Sequence, residues 1–180
     1  NDTYSFLSDI IRSELKAKHI SVISGPTFAQ DLINNEPVGL SVSITSNKAL
    51  KYTEMAFANE RVKLRENRDL YGTQLCGSIK NVIAIAAGIL DGLGFSESTR
   101  AFLITESTHD IKELLEKMEC NPKTIMSFAG IGDLMLTASS PKSRNYRYGK
   151  LLGERKDEKE IDDYLKNNTT EGYYTLLSIK

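Results

Sequence analysis

The stretch LCGSIKNVIAIAAGILDGLG, Leu75–Gly94, decides how this chain is read. It is apolar almost throughout, with its longest hydrophobic run from Val82 to Ala87, and a helix that is apolar on nearly all sides is normally buried. Lys80 stands immediately before that run. An ammonium group there must reach water, find a partner or lose its proton. At helical spacing from it lie Ala84, Ala87, Gly88 and Asp91. Three of these are tiny, so the lysine looks along a shallow groove fit for another backbone or a ligand, while Ile79, Ile83 and Leu90 form the opposite, core flank. Two readings stand level: a lysine snorkelling from the helix's first turn or held in an ion pair, and a functional ammonium group in a pocket.

The sequence changes character around this stretch. Upstream, Phe6, Leu7, Ile10, Ile11 and Leu15 recur at helical spacing and predict an amphipathic helix over 5–18 with one core face. HISVIS reads as a short strand and GPTFAQDLIN as a turn and helix start, with Pro at the first helical position. In PVGLSVSIT, Val38, Leu40, Val42 and Ile44 alternate with Gly39, Ser41, Ser43 and Thr45, the period of a half-buried strand. Ser46 can cap a helix running to about Asn59, and RVKLRE supplies a third strand. From Tyr71 onward the signals are helical only: the opening stretch, then 98–118, then a helix begun by Asn121 and Pro122 and ended by Gly130 and Gly132. The expected organisation is an α/β part over 1–70 and an all-α part over 71–180. ERKDEKEIDDYLKNN, Glu154–Asn168, reads as a solvated helix face and connector.

Bulk properties narrow the function classes. The 180 residues are 40% hydrophobic and 26% charged, with a formal net charge of −1, so no global field draws the chain to nucleic acid or an anionic membrane, and any anion site must be local. The two cysteines, Cys76 and Cys120, read as reduced thiols. His19 and His109 lack partners at metal spacing, so no metal site is indicated. No apolar run approaches ~18 residues without polar interruption, and a soluble, cytoplasmic protein without membrane insertion is expected. The chain starts at Asn1 without Met and stops inside GYYTLLSIK, which reads as a helix, so it is expected to be a piece of something longer.

Three further segments carry chemistry. SSPKSRNYRYGK, Ser139–Lys150, holds Lys142, Arg144, Arg147 and Lys150 and no acid. With Ser143 capping a helix that starts at Arg144, backbone N–H groups and a guanidinium converge on a phosphate-sized site; the alternative is a basic, solvated helix face. In AGIGDLMLT, Asp133 reads first as a helix N-cap and second as a site residue in a glycine-rich bend. SGPTFA, Ser24–Ala29, ends a strand, where ligands of open α/β sheets collect.

Together, SGPTFA, GTQLCGSIKNVIAIAAGILDGLG, STRAFLIT, FAGIGDLMLT, SRNYRYG and EGYYT resemble, in order, the motifs of the bacterial-type NAD(P)-dependent glycerol-3-phosphate dehydrogenases. The resemblance implies a partial, doubly wound Rossmann domain followed by a helical substrate domain of the 6-phosphogluconate-dehydrogenase C-terminal type. It implies reversible reduction of dihydroxyacetone phosphate to sn-glycerol 3-phosphate by NADH or NADPH, feeding phospholipid synthesis. An incomplete sheet leaves open strand edges, so association as a homodimer, or strand exchange, is expected through them. Lys80 is similar to the catalytic lysine, with the small residues beside it as substrate room. Gly25, Thr27, Asp133, Ser143, Arg144 and Asn145 match substrate-binding positions, Asp133 also orienting Lys80. Ala29, Arg144, Thr169 and Glu171 match cofactor contacts. Thr170 departs from the family's Val, and Glu106 and Ser107 from its Arg and Gly. The glycine-rich dinucleotide turn is outside these residues, so the isolated chain is expected to show at most weak phosphate affinity and no turnover. A competing reading sees in SRNYRYG an RNA-binding or purely structural helical module, with cations on phosphates and tyrosines on bases.

Overall fold

The computed structural model describes residues 5–179. Two compact units divide them. One takes residues 5–77 with Lys112–Asp133, and the other Ser78–Ile111 with residues 134–179.

The first unit is built on a three-stranded sheet of order β1-β2-β3, from β1 (Ser21–Ser24), β2 (Val38–Ile44) and β3 (Val62–Asn67). β2 runs parallel to β3, across a connection carrying α3 (Asn47–Phe57), and antiparallel to β1. The β1–β2 link carries only a five-residue helix, α2 (Ala29–Ile33), and the chain turns back beside β1 rather than crossing over the sheet to lie parallel to it. Ser46 caps α3, its hydroxyl accepting from the Ala49 N–H at 3.2 Å, as the sequence predicts.

β2 is not half-buried. From Leu40 to Ile44 every residue is buried. Val42 and Ile44 pack with Ala49, Ile23, Leu50 and Leu64, and each such aliphatic side chain contributes roughly 1.5–3 kcal/mol on burial. The other face holds the small residues because a second layer lies directly on it. A Cβ on Gly39 would meet the Phe128 ring at 2.5 Å, the Ser41 hydroxyl accepts from the Ala129 N–H at 3.2 Å, and the Ser43 and Thr73 hydroxyls bond to each other. The polar half of the alternation is therefore a packing surface for Phe128 and Ala129, not a solvent face. The helix expected over 5–18 is α1 (Leu7–Leu15), ended by Lys16 at φ 48°. It buries Ser8, which exchanges hydrogen bonds with the Gln74 side chain, and leaves Leu7 and Leu15 exposed.

α4 (Leu70–Gly92) contains the opening stretch. By length and composition it is the one described helix able to cross a membrane, but Cys76, Ile83, Ala84, Ile85 and Ala87 are buried within the protein, as in a core helix. Burial pushes the Cys76 thiol up to about 12, with the charge of Asp69 adding to it, so this cysteine is an inert core residue.

The second unit is helical: the rest of α4, most of α5 (Glu97–Lys117), then α6 (Asp133–Ser139), α7 (Arg144–Gly153), α8 (Glu158–Asn167) and α9 (Glu171–Ile179). Lys180 lies outside the described residues. α4 and α7 touch backbone to backbone. A Cβ on Gly88 would strike the Tyr146 carbonyl and sit 2.8 Å from the Lys150 nitrogen; one on Gly92 would lie 2.8 Å from the Glu154 nitrogen. From the other helix, Gly149 abuts the Ile85 carbonyl and Gly153 the Ile89 carbonyl. Tyr148 stacks on Tyr164 at 6.3 Å and meets Tyr173 edge-on at 6.0 Å, tying α7 to α8 and α9.

Gly88→Ala or Gly149→Ala should destabilise the protein by about 3 kcal/mol, because backbone cannot yield as a side chain does. Gly77→Ala, whose Cβ would have no neighbour nearer than 3.8 Å, should instead gain roughly 0.5–1 kcal/mol from helix propensity. Chemical denaturation of the three variants reads both signs, and equal effects would refute the contact.

Candidate functional site

In the sheet unit, β1 ends at Ser24 and the chain turns at Gly25. There a side chain would meet the Gly39 carbonyl at 2.6 Å and Leu40 Cα at 3.1 Å, so only glycine lets the turn lie on β2. Pro26 does not open the helix. α2 begins at the exposed Ala29, where the Asp31 carboxylate accepts from the Phe28 N–H at 3.0 Å. The Thr27 hydroxyl donates to the Phe28 carbonyl at 3.2 Å.

Facing this turn is a second one. Asn121 caps a 3-10 turn (Pro122–Met126), and Ser127 caps a π turn (Phe128–Gly132). The glycines expected to end a helix therefore sit inside the π turn, Gly130 with non-helical φ −90° and ψ −108°. Asp133, expected as an N-cap, is already helical at φ −72° and ψ −34°. It is 3% exposed, and its Oδ2 accepts from the Ser24 hydroxyl at 3.3 Å. Gly132 faces Pro26, with 3.3 Å between its would-be Cβ and the ring. The structure thus brings Gly25, Thr27 and Asp133 to one place and adds Ser24, whose signal in the sequence was its position one residue before the Gly-Pro turn.

In the helical unit, Lys80 is half-buried on α4. Its neighbour Asn81, 5% exposed, is at the centre of a chain of hydrogen bonds. Asn81 Nδ2 donates to Glu171 Oε2 at 3.0 Å, Asn145 Nδ2 donates to Asn81 Oδ1 at 3.0 Å, and the Gly172 N–H donates to Asn145 Oδ1 at 2.9 Å. Gly172 must be small, for its Cβ would lie 2.5 Å from the Asn81 carbonyl. Ser143 caps α7 as the sequence predicts, accepting from the Tyr146 N–H at 3.3 Å. Arg144 is half-exposed, with its guanidinium 4.0 Å from Glu171 Oε1 and its carbonyl accepting from the Tyr164 hydroxyl at 2.9 Å. Arg144, Asn145 and Glu171 are therefore together, whereas Thr169 is exposed and outside these bonds. Asn81 was missed by the sequence reading, although a second polar residue beside Lys80 in an apolar helix was the signal for it.

One expectation is corrected here. The groove beside Lys80 is filled: Ala84 and Ala87 are fully buried, and α7 backbone lies over Gly88, so these residues are room for a helix rather than for substrate. Arg144, Arg147 and Lys150 of the basic segment have separate partners. Lys150 binds Asp91 at 2.8 Å, Arg147 lies over the Tyr164 ring at 5.9 Å, and Arg144 faces Glu171, while Tyr146 and Tyr148 are buried and offer no faces to bases. Among the described residues no group of three or more His, Cys, Asp or Glu is placed to hold a metal ion.

Comparison with known proteins decides what this arrangement belongs to. The family model described as NAD-dependent glycerol-3-phosphate dehydrogenase C-terminus matches residues 69–180, and the corresponding N-terminus model matches residues 1–50. The chain belongs to the NAD-dependent glycerol-3-phosphate dehydrogenase family. It is 37% identical over 184 residues to glycerol-3-phosphate dehydrogenase (NAD(P)+) of Staphylococcus saprophyticus, covering 99% of this chain and 54% of that protein. With the Leuconostoc mesenteroides protein of the same name it shares 39% over 164 residues, covering 89% and 49%. The crystal structure of glycerol-3-phosphate dehydrogenase from Coxiella burnetii superimposes with a TM-score of 0.90 at 34% identity, covering 96% of this chain and 53% of that one. The chain spans about half the length of the curated relatives it matches.

The departure from the family pattern at Thr170 is absorbed. The residue is fully buried, and its hydroxyl donates to the Asn168 carbonyl at 3.3 Å, so a polar atom at a Val-sized site keeps a partner. Farther along α4, Asp91 gathers Lys150, Arg100 at 3.1 Å and the Tyr146 hydroxyl. The Lys150 hydrogen bond is the largest cause that holds the Asp91 carboxyl below its usual range, against an opposing effect of burial.

A carboxyl whose folded pKa is depressed stabilises above its unfolded value, near 4, and loses that contribution as pH falls through the lower folded value. Asp91→Asn should therefore cost about 1 kcal/mol at pH 7, a modest figure because Lys150 is 45% exposed. The gap to the unsubstituted protein should close below roughly pH 4. Thermal unfolding of both proteins across pH 3–8 checks this, and a gap that widens on acidification would refute it.

Proposed function

We propose that this chain serves the NAD(P)H-dependent, reversible reduction of dihydroxyacetone phosphate to sn-glycerol 3-phosphate, the precursor of glycerophospholipids, in the cytoplasm. The observation that carries the reading is the family match over 69–180, which takes in Lys80, Asp133, the Ser143–Arg144–Asn145 helix start and Glu171. Residues 1–70 are read as the C-terminal part of the nucleotide-binding domain and 71–180 as the substrate domain.

Lys80 is the proposed acid. Half-buried on α4, its ammonium group donates a proton to the C2 carbonyl oxygen as that oxygen gains charge, and general acid catalysis of this kind is worth about 10²–10⁴-fold. Bound NADH or NADPH supplies the hydride to C2. Arg144 grips the substrate phosphate, with Ser143 and Asn145 completing that contact at the start of α7. Gly25, Thr27 and Asp133 are proposed substrate contacts, the buried Asp133 carboxylate as a hydrogen-bond acceptor. For the nicotinamide nucleotide the residues fit at Arg144 and Glu171, whose side chains are 47% and 58% exposed and so keep their polar heads within a ligand's reach. Thr169 and Ala29, both exposed, are assigned to the same group. The β1 and β3 edges, each paired on one side, support self-association as a homodimer.

The chain should bind sn-glycerol 3-phosphate saturably, and Arg144→Ala should abolish that binding. Calorimetric titration with inorganic phosphate as control reads it. In a protein carrying the complete nucleotide-binding domain, Lys80→Ala should reduce dihydroxyacetone-phosphate-dependent NADH oxidation by at least ~10²-fold with cofactor affinity nearly intact. A loss below about tenfold, ~1.4 kcal/mol, would remove the acid role.

A further inference from the structure

Resting on that reading, we propose that Asn81 is a positioning residue that fastens the Glu171 segment to the Arg144–Asn145 segment, so that cofactor-side and phosphate-side groups are set as one rigid piece. Three observations carry this. Asn81 and Asn145 are 5% and 6% exposed, so neither amide can exchange its protein partners for bulk water without local opening. The bonds have a fixed polarity: the Gly172 N–H requires the Asn145 oxygen to face α9, which turns the Asn145 NH2 toward Asn81, which in turn makes the Asn81 oxygen the acceptor and aims its NH2 at Glu171. Each amide orientation dictates the next. The end of the chain is a carboxylate, and its second oxygen faces the Arg144 guanidinium.

That polarity has a functional consequence. The Asn81 NH2 supplies a charge-assisted hydrogen bond to one Glu171 oxygen and leaves the other for Arg144, the proposed phosphate grip. Arg144 and Asn145 are adjacent on α7, and Glu171 and Gly172 on α9. One amide on α4 therefore fixes the spacing of both helix starts. Removing it frees Glu171 to move toward Arg144 and compete with the substrate phosphate for the guanidinium. Asn81 is not itself placed as a substrate contact.

The test is a swap. Asn81→Asp keeps the acceptor for Asn145 but sets a carboxylate against Glu171. It should weaken binding of sn-glycerol 3-phosphate about tenfold, a coupling of ~1.4 kcal/mol, and lower the unfolding midpoint. Both effects should shrink as pH is lowered and the two carboxyls come to share a proton. Glu171→Gln in that background returns a donor to the pair and should restore stability and phosphate-ligand affinity. The same swap leaves Arg144→Ala unrescued. If Asn81→Asp matches the unsubstituted chain in both measurements, or if Glu171→Gln fails to restore it, the proposal is overturned. If no variant, nor the unsubstituted chain, binds sn-glycerol 3-phosphate, the functional reading fails instead. The unfolding cycle then judges the relay on its own: rescue by Glu171→Gln upholds it and absence of rescue overturns it.

Discussion

The backbone contact between α4 and α7 is the constraint on which the helical unit depends. Gly88 and Gly92 on one helix, Gly149 and Gly153 on the other, remove the side chains that would hold two helices apart, and each carbonyl or nitrogen of the partner fills the space a methyl group would take. Close approach of this kind gains dispersion contacts along two turns and fixes axial register, since sliding either helix would drive a side chain into backbone. That register sets Asn81 opposite Asn145 and Asp91 opposite Lys150 and Tyr146. The polar contacts do not create the arrangement. They are possible because the glycines place the backbones first, and they then penalise alternatives, for a shifted register would bury unpaired amides at about 1–3 kcal/mol each.

The sheet unit obeys a different rule. β2 is covered on both faces, so its small residues are there to admit a neighbour, and the neighbour is the segment that ends in Asp133. Phe128 over Gly39 and Ala129 on the Ser41 hydroxyl set the π turn on the sheet. From there Gly132 can approach Pro26, and Asp133 can accept from Ser24. A carboxylate that is 3% exposed is tolerated because its position is dictated by this packing and its oxygen meets a donor at the end of β1.

What was legible in the sequence follows from how local each determinant is. Ser46 and Ser143 cap helices because a hydroxyl reaches an N–H two or three residues on, and nothing distant decides it. The strands over 38–44 and 62–67 were legible from composition and alternation. The alternation of β2, however, was ambiguous between a solvent face and a tightly covered one, because serine and glycine suit both. Of the two readings of Asp133 the cap fails, and the contact that holds its carboxyl was not legible because Ser24 is more than one hundred residues away in sequence. The spacing of the cations over 142–150 left open whether they share one face, and their partners were not legible, since Asp91 and Tyr164, which draw Lys150 and Arg147 aside, lie on other helices. The family was legible because its motifs are short, ordered and dense in glycine, which records backbone proximity that composition alone does not show.

The charge before the apolar run of α4 also has a geometric account. Asn81, Ile85, Gly88, Ile89 and Gly92 of α4 meet the backbone or side chains of α7 or α9, spaced by four, three, one and three, which is a single helical stripe, with Asp91 reaching α7 from beside it. Lys80 precedes the first of them by one residue, a rotation of about 100°, so it stands beside the seam rather than in it. The helix can therefore be apolar enough to pack on nearly every side and still carry an ammonium group at half burial. The amide that begins the seam is the residue next to it, so whatever fixes Asn81 between Asn145 and Glu171 also fixes the backbone from which Lys80 extends. A charge that looked out of place in an apolar helix is thus set by the polar residue beside it.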